Sequence, residues 1–160
     1  MKKALVIFFV LVLICFSGYS QTQNQGDARL HTFGTYGLRW QDFGVGGGIE
    51  YFFVDHFAFM PSYTQIFPAI GSESNFSADL RYYISEGPSQ LYFMAGYSQN
   101  WENTQPDGAG VRRNVGVGAY IGLVDWMGLS TEFKFQSTNR QEVGFRVGLA
   151  FPLGGRAATN

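Results

Sequence analysis

The sequence predicts an all-β protein, an eight-stranded antiparallel up-and-down transmembrane β-barrel preceded by a cleaved signal peptide. Three observations support this prediction. Apolar residues alternate with small or polar residues along eight segments of about nine to twelve residues, and a period of two is typical of strands with one apolar face. Aromatic residues make up 18% of the chain and charged residues only 14%, and there are 21 glycines. This composition suits strands that face lipid better than strands that face water.

The N-terminus has the pattern of a secretory signal peptide. Lys2 and Lys3 precede a short apolar run, and small residues lie three and one positions before a cut at Gln21. The apolar run is too short to span a bilayer as a helix. A retained membrane anchor is one alternative, and a lipoprotein processed at Cys15 is another, although Ile14 is bulky where such a site needs a small residue.

The residues after the signal are enough for one domain. We assign residues 1–20 to the signal peptide, 21–28 to a flexible N-terminal segment, 29–153 to the barrel and 154–160 to a short periplasmic tail. Cys15 is the only cysteine, so the mature protein has no disulfide and no thiol chemistry. Loss of the two signal lysines leaves 9 basic against 12 acidic residues, a net charge of −3, which gives no indication of a nucleic-acid partner.

Strands one to three are defined by their alternating faces and by tight turns at residues 41–42 and 55–56. They run from Arg29 to Trp40, from Phe43 to Val54 and from Phe57 to Phe67. Their apolar faces carry Leu30, Tyr36, Leu38, Val45, Ile49, Tyr51, Phe53, Phe57, Phe59 and Tyr63. Pro61 interrupts strand three and predicts a bulge or a locally unpaired N–H.

The remaining strands follow the same pattern. Strand four runs from Phe76 to Ile84, strand five from Gln90 to Trp101, strands six and seven form a hairpin within Gly110 to Ser137, and strand eight runs from Arg140 to Phe151. Turns are predicted at residues 86–89, 125–126 and 138–139, and Pro152 with the glycines after it is expected to end the last strand.

The polar face of these strands is rich in glycine and carries a balanced set of charges. These are Glu50, Asp79, Arg81, Arg112, Glu132, Lys134, Glu142 and Arg146, four acidic and four basic residues. A soluble exterior would carry more charge. We therefore expect this face to line a narrow lumen in which the charges form a mutually paired network, because an unpaired buried charge costs several kcal/mol. Scattered solvated charges on a soluble sheet are the alternative.

The tryptophans fall at predicted strand ends. Trp40, Trp101 and Trp126 would lie at the membrane–water interface, where amphipathic rings are enriched. With a periplasmic N-terminus, the short turns at 55–56, 86–89 and 125–126 face the periplasm, and the longer loops 67–75 and 102–110 face outward.

Several segments resemble those of the small eight-stranded outer-membrane barrels of the OmpA/OmpX type. They are NFSADLRYYI at residues 75–84, EVGFRVGLAF at residues 142–151 and LVDW at residues 123–126. The resemblance implies an outer-membrane location, outer-membrane lipid and the barrel-assembly machinery as partners, and an assembly signal at a terminal aromatic residue. Here Phe151 is followed by nine more residues, so that signal would be internal.

The sequence offers no reaction. His31 and His56 lie at the end of the barrel away from the outer rim, so we expect structural or solvated roles. No carboxylate pair, metal-ligand cluster or nucleophile motif has useful spacing, so no enzyme activity and no cofactor are predicted. An eight-stranded barrel is filled by side chains, which disfavours a general pore. The predicted function is structural, or surface interaction through loops 67–75 and 102–110; the alternative is a soluble, lipocalin-like barrel that binds an apolar molecule.

Overall fold

The structure is a computed structural model that describes residues 24–39, 41–102, 110–137 and 142–153, without the side chains of Glu102 and Glu142. Within these residues the chain forms eight strands and no helix. The strands are β1 (Ala28–Gly37), β2 (Phe43–Val54), β3 (Phe57–Phe67), β4 (Glu73–Tyr83), β5 (Ser89–Glu102), β6 (Gly110–Val124), β7 (Met127–Ser137) and β8 (Glu142–Leu153). No helix of the described chain is long and apolar enough to cross a membrane.

Each strand pairs antiparallel with its neighbour in sequence, and β1 pairs with β8 to close the barrel. The closing ladder runs from Ala28 opposite Leu153 to Gly37 opposite Gly144. The all-β fold class and the closed eight-stranded antiparallel topology predicted from the sequence are therefore confirmed. Every described strand has two neighbours, so the sheet has no free edge strand.

Alternation along the strands divides the side chains into an outward and an inward set. On β4, Phe76, Leu80 and Tyr82 face outward and are 43% to 45% exposed, whereas Asp79 and Arg81 between them face inward and are 1% exposed. The same alternation holds around the barrel, with exposed apolar residues outside and buried polar residues inside. The sequence predicted apolar side chains outside and polar side chains inside, and the structure has this arrangement. Side chains that alternate with a period of two point to opposite faces of a sheet, which become the outside and the inside when the sheet closes.

The two ends of the barrel differ in their connections. At one end, here called the turn end, lie the short connections at residues 55–56, 84–88 and 125–126, together with Ala28 and Leu153. At the other end, the loop end, lie residues 38–39, 41–42 and 68–72 and the strand ends Glu102, Gly110, Ser137 and Glu142. His56 has φ 68° and Gln41 has φ 59°, so one tight connection at each end places a residue other than glycine in the left-handed region.

Some predicted strand boundaries were wrong. Strand β1 ends at Gly37, three residues before its predicted end at Trp40. Strand β4 begins at Glu73 instead of Phe76, which shortens the predicted 67–75 loop to residues 68–72. Residues 73–75 are polar, but Glu73 and Asn75 line a polar interior, so polarity did not mark a loop here. Strand β8 continues through Pro152 to Leu153. The β7 ladder has ended by that point, at Gly128 opposite Ala150, and a proline is tolerated at the end of a strand.

Pro61 produces an interruption of the ladder without a bulge. The β2–β3 register pairs Gly48 with Ser62 and then Tyr51 with Phe59, without a shift across Pro61. The register shift in this hairpin lies beside the turn, between Phe52 and Val54. Of the two outcomes expected at Pro61, local loss of pairing is therefore the one observed.

Inward-facing glycines make room for large side chains in the lumen. A Cβ atom on Gly118 would lie less than 3.0 Å from the ring of Tyr92, and one on Gly128 would lie equally close to the ring of Tyr120. Phe33 occupies the corresponding space beside Gly46. A narrow eight-stranded barrel has little interior volume, and these glycines let it hold aromatic side chains.

Candidate functional site: the charged lumen

Arg81 on β4 is the centre of the buried charges. Its Nη1 donates a hydrogen bond to Glu50 Oε1 on β2 over 3.1 Å, and its Nη2 donates to Glu132 Oε2 on β7 over 2.6 Å. Glu50, Arg81 and Glu132 are each 0% to 1% exposed. The guanidinium also lies 4.6 Å from the centre of the Tyr92 ring. One arginine thus links two carboxylates on opposite walls of the barrel.

Both carboxylates receive further hydrogen bonds. The hydroxyl of Tyr83 donates to Glu50 Oε1 over 2.6 Å, and the hydroxyl of Tyr92 donates to Glu132 Oε2 over 3.1 Å. His31 Nε2 lies 3.1 Å from Glu50 Oε2. Charged groups removed from water need such additional partners, because attraction between opposite charges alone seldom offsets the cost of desolvation.

A second set of contacts lies nearer the loop end. Lys134 Nζ donates to Asp79 Oδ2 over 2.6 Å, and Asn114 Nδ2 donates to Asp79 Oδ1 over 2.9 Å. Arg146 Nη1 lies 3.2 Å from Glu132 Oε1, outside hydrogen-bond geometry, and its guanidinium is 3.9 Å from the centre of the Phe33 ring. These contacts extend the charged cluster from the central arginine toward the loop end.

Glu73 on β4 makes the lumen contacts that lie closest to the rim of the loop end. Arg112 Nη2 lies 3.4 Å from Glu73 Oε1, and the Asn100 amide donates a hydrogen bond to the same oxygen. Asn100 in turn accepts from the amide of Asn75. Charge and amide groups therefore continue to the rim at this end.

The turn end is closed by aromatic rings around Arg29. The guanidinium of Arg29 lies 4.1 Å from the centre of the Tyr120 ring and 4.9 Å from that of Phe52. Its Nη2 donates to Gln90 Oε1 over 2.8 Å. Tyr83 and Phe52 pack with ring centres 5.2 Å apart. All five side chains are buried, so the lumen is packed and largely aromatic at this end and charged and polar toward the other.

The structure places the charges named from the sequence in three groups. Glu50, Arg81, Glu132 and Arg146 meet in one cluster, Asp79 and Lys134 form a pair, and Arg112 pairs with Glu73. The side chain of Glu142 lies outside the described residues. Trp101 on β5 and Trp126 in the β6–β7 turn are exposed on the outside, and Trp126 stacks on Phe151 with ring centres 6.4 Å apart. Trp40 lies outside the described residues.

Sequence reasoning missed several members of these clusters. The missed side chains are Arg29, His31, Glu73, Tyr83, Tyr92, Asn75, Asn100 and Asn114. Arg29 and His31 alternate with the apolar side chains of β1 in the same way as the inward residue Phe33. This alternation could have predicted that both side chains face the lumen. Glu73 and Asn75 were assigned to a loop and had no facing.

A cavity of about 50 Å³ opens at the loop end above Lys134 and Arg146. Its lining includes Thr35, Thr64 and Glu73. The hydroxyls of Ser62 and Thr64 are buried without a hydrogen-bond partner among the described atoms. A polar cavity of this size has room for a few water molecules. Across the described residues no group of three or more His, Cys, Asp and Glu side chains is arranged to hold a metal ion.

Comparison with known proteins gives the fold. No family model matches the sequence, and no curated protein matches it. The N-terminal β-barrel domain of Pseudomonas aeruginosa OprF matches with a TM-score of 0.69 and 21% identity, over 82% of this chain and all of that one. The chain has the fold of a small OmpA/OmpX-like barrel. A de novo designed transmembrane β-barrel matches with a TM-score of 0.63 and 17% identity, over 83% of this chain and all of the design.

A third structure with this fold is the outer membrane protein Ail of Yersinia pestis in a phospholipid bilayer nanodisc. It matches with a TM-score of 0.58 and 10% identity, over 81% of this chain and all of Ail. These identities are too low to transfer an activity or a partner. The small outer-membrane barrel predicted from sequence resemblance is confirmed as a fold.

Proposed function

We propose that this protein is a non-enzymatic barrel of the Gram-negative outer membrane, exported through a cleaved signal peptide, with a structural or surface-interaction role. The observation that carries the proposal is the outward surface. Leu80, Val117 and Phe133 lie on three different strands and are 44% to 49% exposed. Apolar side chains exposed around a closed barrel would be unfavourable in water and are favourable in a bilayer, and closure leaves no unpaired edge in lipid.

The proposed orientation follows from the connections. Outer-membrane barrels have short periplasmic turns and longer external loops. The turn end therefore faces the periplasm and the loop end faces outward. Trp126, exposed at the turn end, and Trp101, exposed near the loop end, then lie near the two interfaces. Outer-membrane lipid surrounds the barrel, and insertion requires the barrel-assembly machinery.

The filled lumen favours a role without transport. The ring of aromatic side chains around Arg29 blocks the turn end, and the paired charges around Arg81 fill the centre. We propose that these pairs hold the barrel walls in one arrangement. No catalytic residue is assigned, because the buried carboxylates are engaged by arginine and tyrosine groups and are not open to a substrate.

The loops at the outer end are the proposed contact surfaces. In the 68–72 loop Ile70 is 82% exposed, so the loop presents an apolar side chain that a surface partner could contact. Most of the 102–110 loop lies outside the described residues. A soluble barrel that binds an apolar molecule inside is less supported, because the described interior is filled by charged, amide and aromatic side chains.

Membrane fractionation combined with a heat-modifiability gel tests the proposal. We expect the mature protein in the outer-membrane fraction, and a folded band in an unheated sample that shifts after boiling. A protein found wholly in the soluble fraction would refute membrane insertion. Planar-bilayer recordings test the filled lumen, and steady wild-type conductance would contradict it.

A further inference from the structure

Arg113 on β6 is the one charged residue on the outward face of the described strands. Its side chain follows the outward parity of Val111, Val115 and Val117, and it is exposed. Among the described residues its guanidinium has no ion-pair partner, whereas its inward neighbour Arg112 pairs with Glu73. Its guanidinium is therefore accessible, on the outward face of the described strands, to an anionic group in the membrane.

The register places Arg113 where the apolar band ends. It lies opposite Tyr97 on β5 and Ser137 on β7. One outward position toward the turn end, Val115 lies opposite Ala95 and Phe135, all apolar. One position toward the loop end, Val111 lies opposite Gln99. The guanidinium is therefore at the height where lipid tails give way to headgroups, and a cation there costs only about 0 to 1 kcal/mol.

Side chains that form hydrogen bonds surround Arg113 on the two neighbouring strands. The exposed side chains of Tyr97, Gln99 and Ser137 lie on the strands beside it. A second outward polar group at the loop end, Tyr63, Gln65 and Ser74, is linked by hydrogen bonds among its own side chains. The group around Arg113 differs from it in carrying a positive charge.

We propose that Arg113, with Tyr97, Gln99 and Ser137, binds the headgroup of a phosphorylated glycolipid in the outer leaflet. The inference rests on the proposed membrane location and orientation. A planar guanidinium recognises a phosphate through two parallel hydrogen bonds, which gives the charge complementarity. The phenol, amide and hydroxyl around it suit the hydroxyls of a sugar, and for this reason we name a glycolipid and not a simple phospholipid.

The test uses the full mature chain folded in detergent micelles, with folding checked by the heat-modifiability gel. Lipid A carrying its phosphates, the same lipid A with its phosphates removed, and phosphatidylglycerol are titrated separately. The Nε–Hε NMR signal of Arg113, assigned by its loss in Arg113→Gln, reports contact at the side chain. Binding of each lipid is measured in the wild type, in Arg113→Gln and in Arg113→Lys.

We expect phosphorylated lipid A to shift the Arg113 signal and Arg113→Gln to weaken its binding about tenfold or more, the effect of losing a hydrogen bond to a charged group. Arg113→Lys keeps the charge and loses the planar fork, so its binding should be intermediate. Arg39→Gln removes the same charge from an exposed site at the same end and should leave binding unchanged. The dephosphorylated lipid should not shift the signal.

Two outcomes would overturn the inference. Equal binding of phosphorylated lipid A to the wild type and to Arg113→Gln would show that the arginine is not part of the site. Binding of phosphatidylglycerol as strong as that of phosphorylated lipid A would show that the site does not prefer a glycolipid. Neither outcome affects the proposed membrane barrel, which fails only if the folded protein does not insert into membranes.

Discussion

Replacement of Arg81 by methionine removes the guanidinium that links Glu50 and Glu132 while keeping a long side chain in its place. Arg81 is 1% exposed, so the change leaves two carboxylates away from water with fewer partners. Breaking a buried ion pair by removing one partner costs about 3 to 5 kcal/mol.

The remaining contacts decide where in this range the loss falls. Glu50 keeps the Tyr83 hydroxyl at 2.6 Å and His31 at 3.1 Å. Glu132 keeps the Tyr92 hydroxyl at 3.1 Å and Arg146 at 3.2 Å. Since neither carboxylate is left without a partner, we expect a loss near the lower limit, about 3 kcal/mol in the free energy of unfolding.

Urea titration of the barrel in lipid vesicles measures this loss, with the folded fraction read from unheated gels. Arg39→Met is the control, because this arginine is exposed and a contact of an exposed charge is worth at most about 1 kcal/mol. The double variant Arg81→Met with Glu132→Gln should lose less than the two single losses combined, because residues in contact are coupled. Stability of Arg81→Met within about 1 kcal/mol of the wild type would refute the stabilising role of the central pairs.

Two further substitutions test the outward face and the packing of the lumen. Leu80→Arg should lower the free energy of unfolding in vesicles by about 2 to 4 kcal/mol, because Leu80 is the middle one of the outward residues Phe76 to Ile84. Val111→Arg, near the rim, should lower it by only about 0 to 1 kcal/mol. Equal urea midpoints for the two variants would contradict the assigned membrane depth. Gly118→Ala should cost about 1 to 3 kcal/mol by displacing the buried Tyr92 ring. Gly144→Ala, where the nearest atom to the new Cβ is 3.8 Å away, is its control, and a thermal shift as large as that of Gly118→Ala would argue against tight packing at Tyr92.

The sequence was sufficient for the two strands that are joined by the two-residue turn at 55–56. The predicted limits of strands two and three, 43–54 and 57–67, match β2 and β3. In both, the period of two is clear up to the two-residue turn at 55–56 that joins them, and a shift of one residue would turn the apolar side chains inward.

Prediction was poorer where the lumen itself is polar. Glu73 and Asn75 are strand residues whose side chains face the lumen, yet a polar run such as residues 73–75 has the composition of a loop. Alternation alone gives no signal when both faces of a strand end are polar. Asn100 and Asn114 are absent from the predicted lumen network for another reason, because that list held only charged side chains.

The sequence also could not predict which charged side chains pair with each other. Asp79 and Arg81 are two apart on β4 and share a face, but Asp79 binds Lys134 and Arg81 binds Glu50 and Glu132. These contacts join strands that are not neighbours in the sheet, so they depend on barrel diameter and stagger. A balanced set of charges indicates that pairs form, and closure of the barrel determines which ones.

The β1–β8 ladder has a consequence for the connectivity of the chain. Ala28 and Leu153 are opposite each other in register, so the two ends of the barrel sequence lie side by side at the turn end. A short linker between them would preserve every strand pair, and new termini opened in the 68–72 loop would interrupt none. The order of the eight strands around the barrel is therefore cyclic, and the fold tolerates circular permutation in principle.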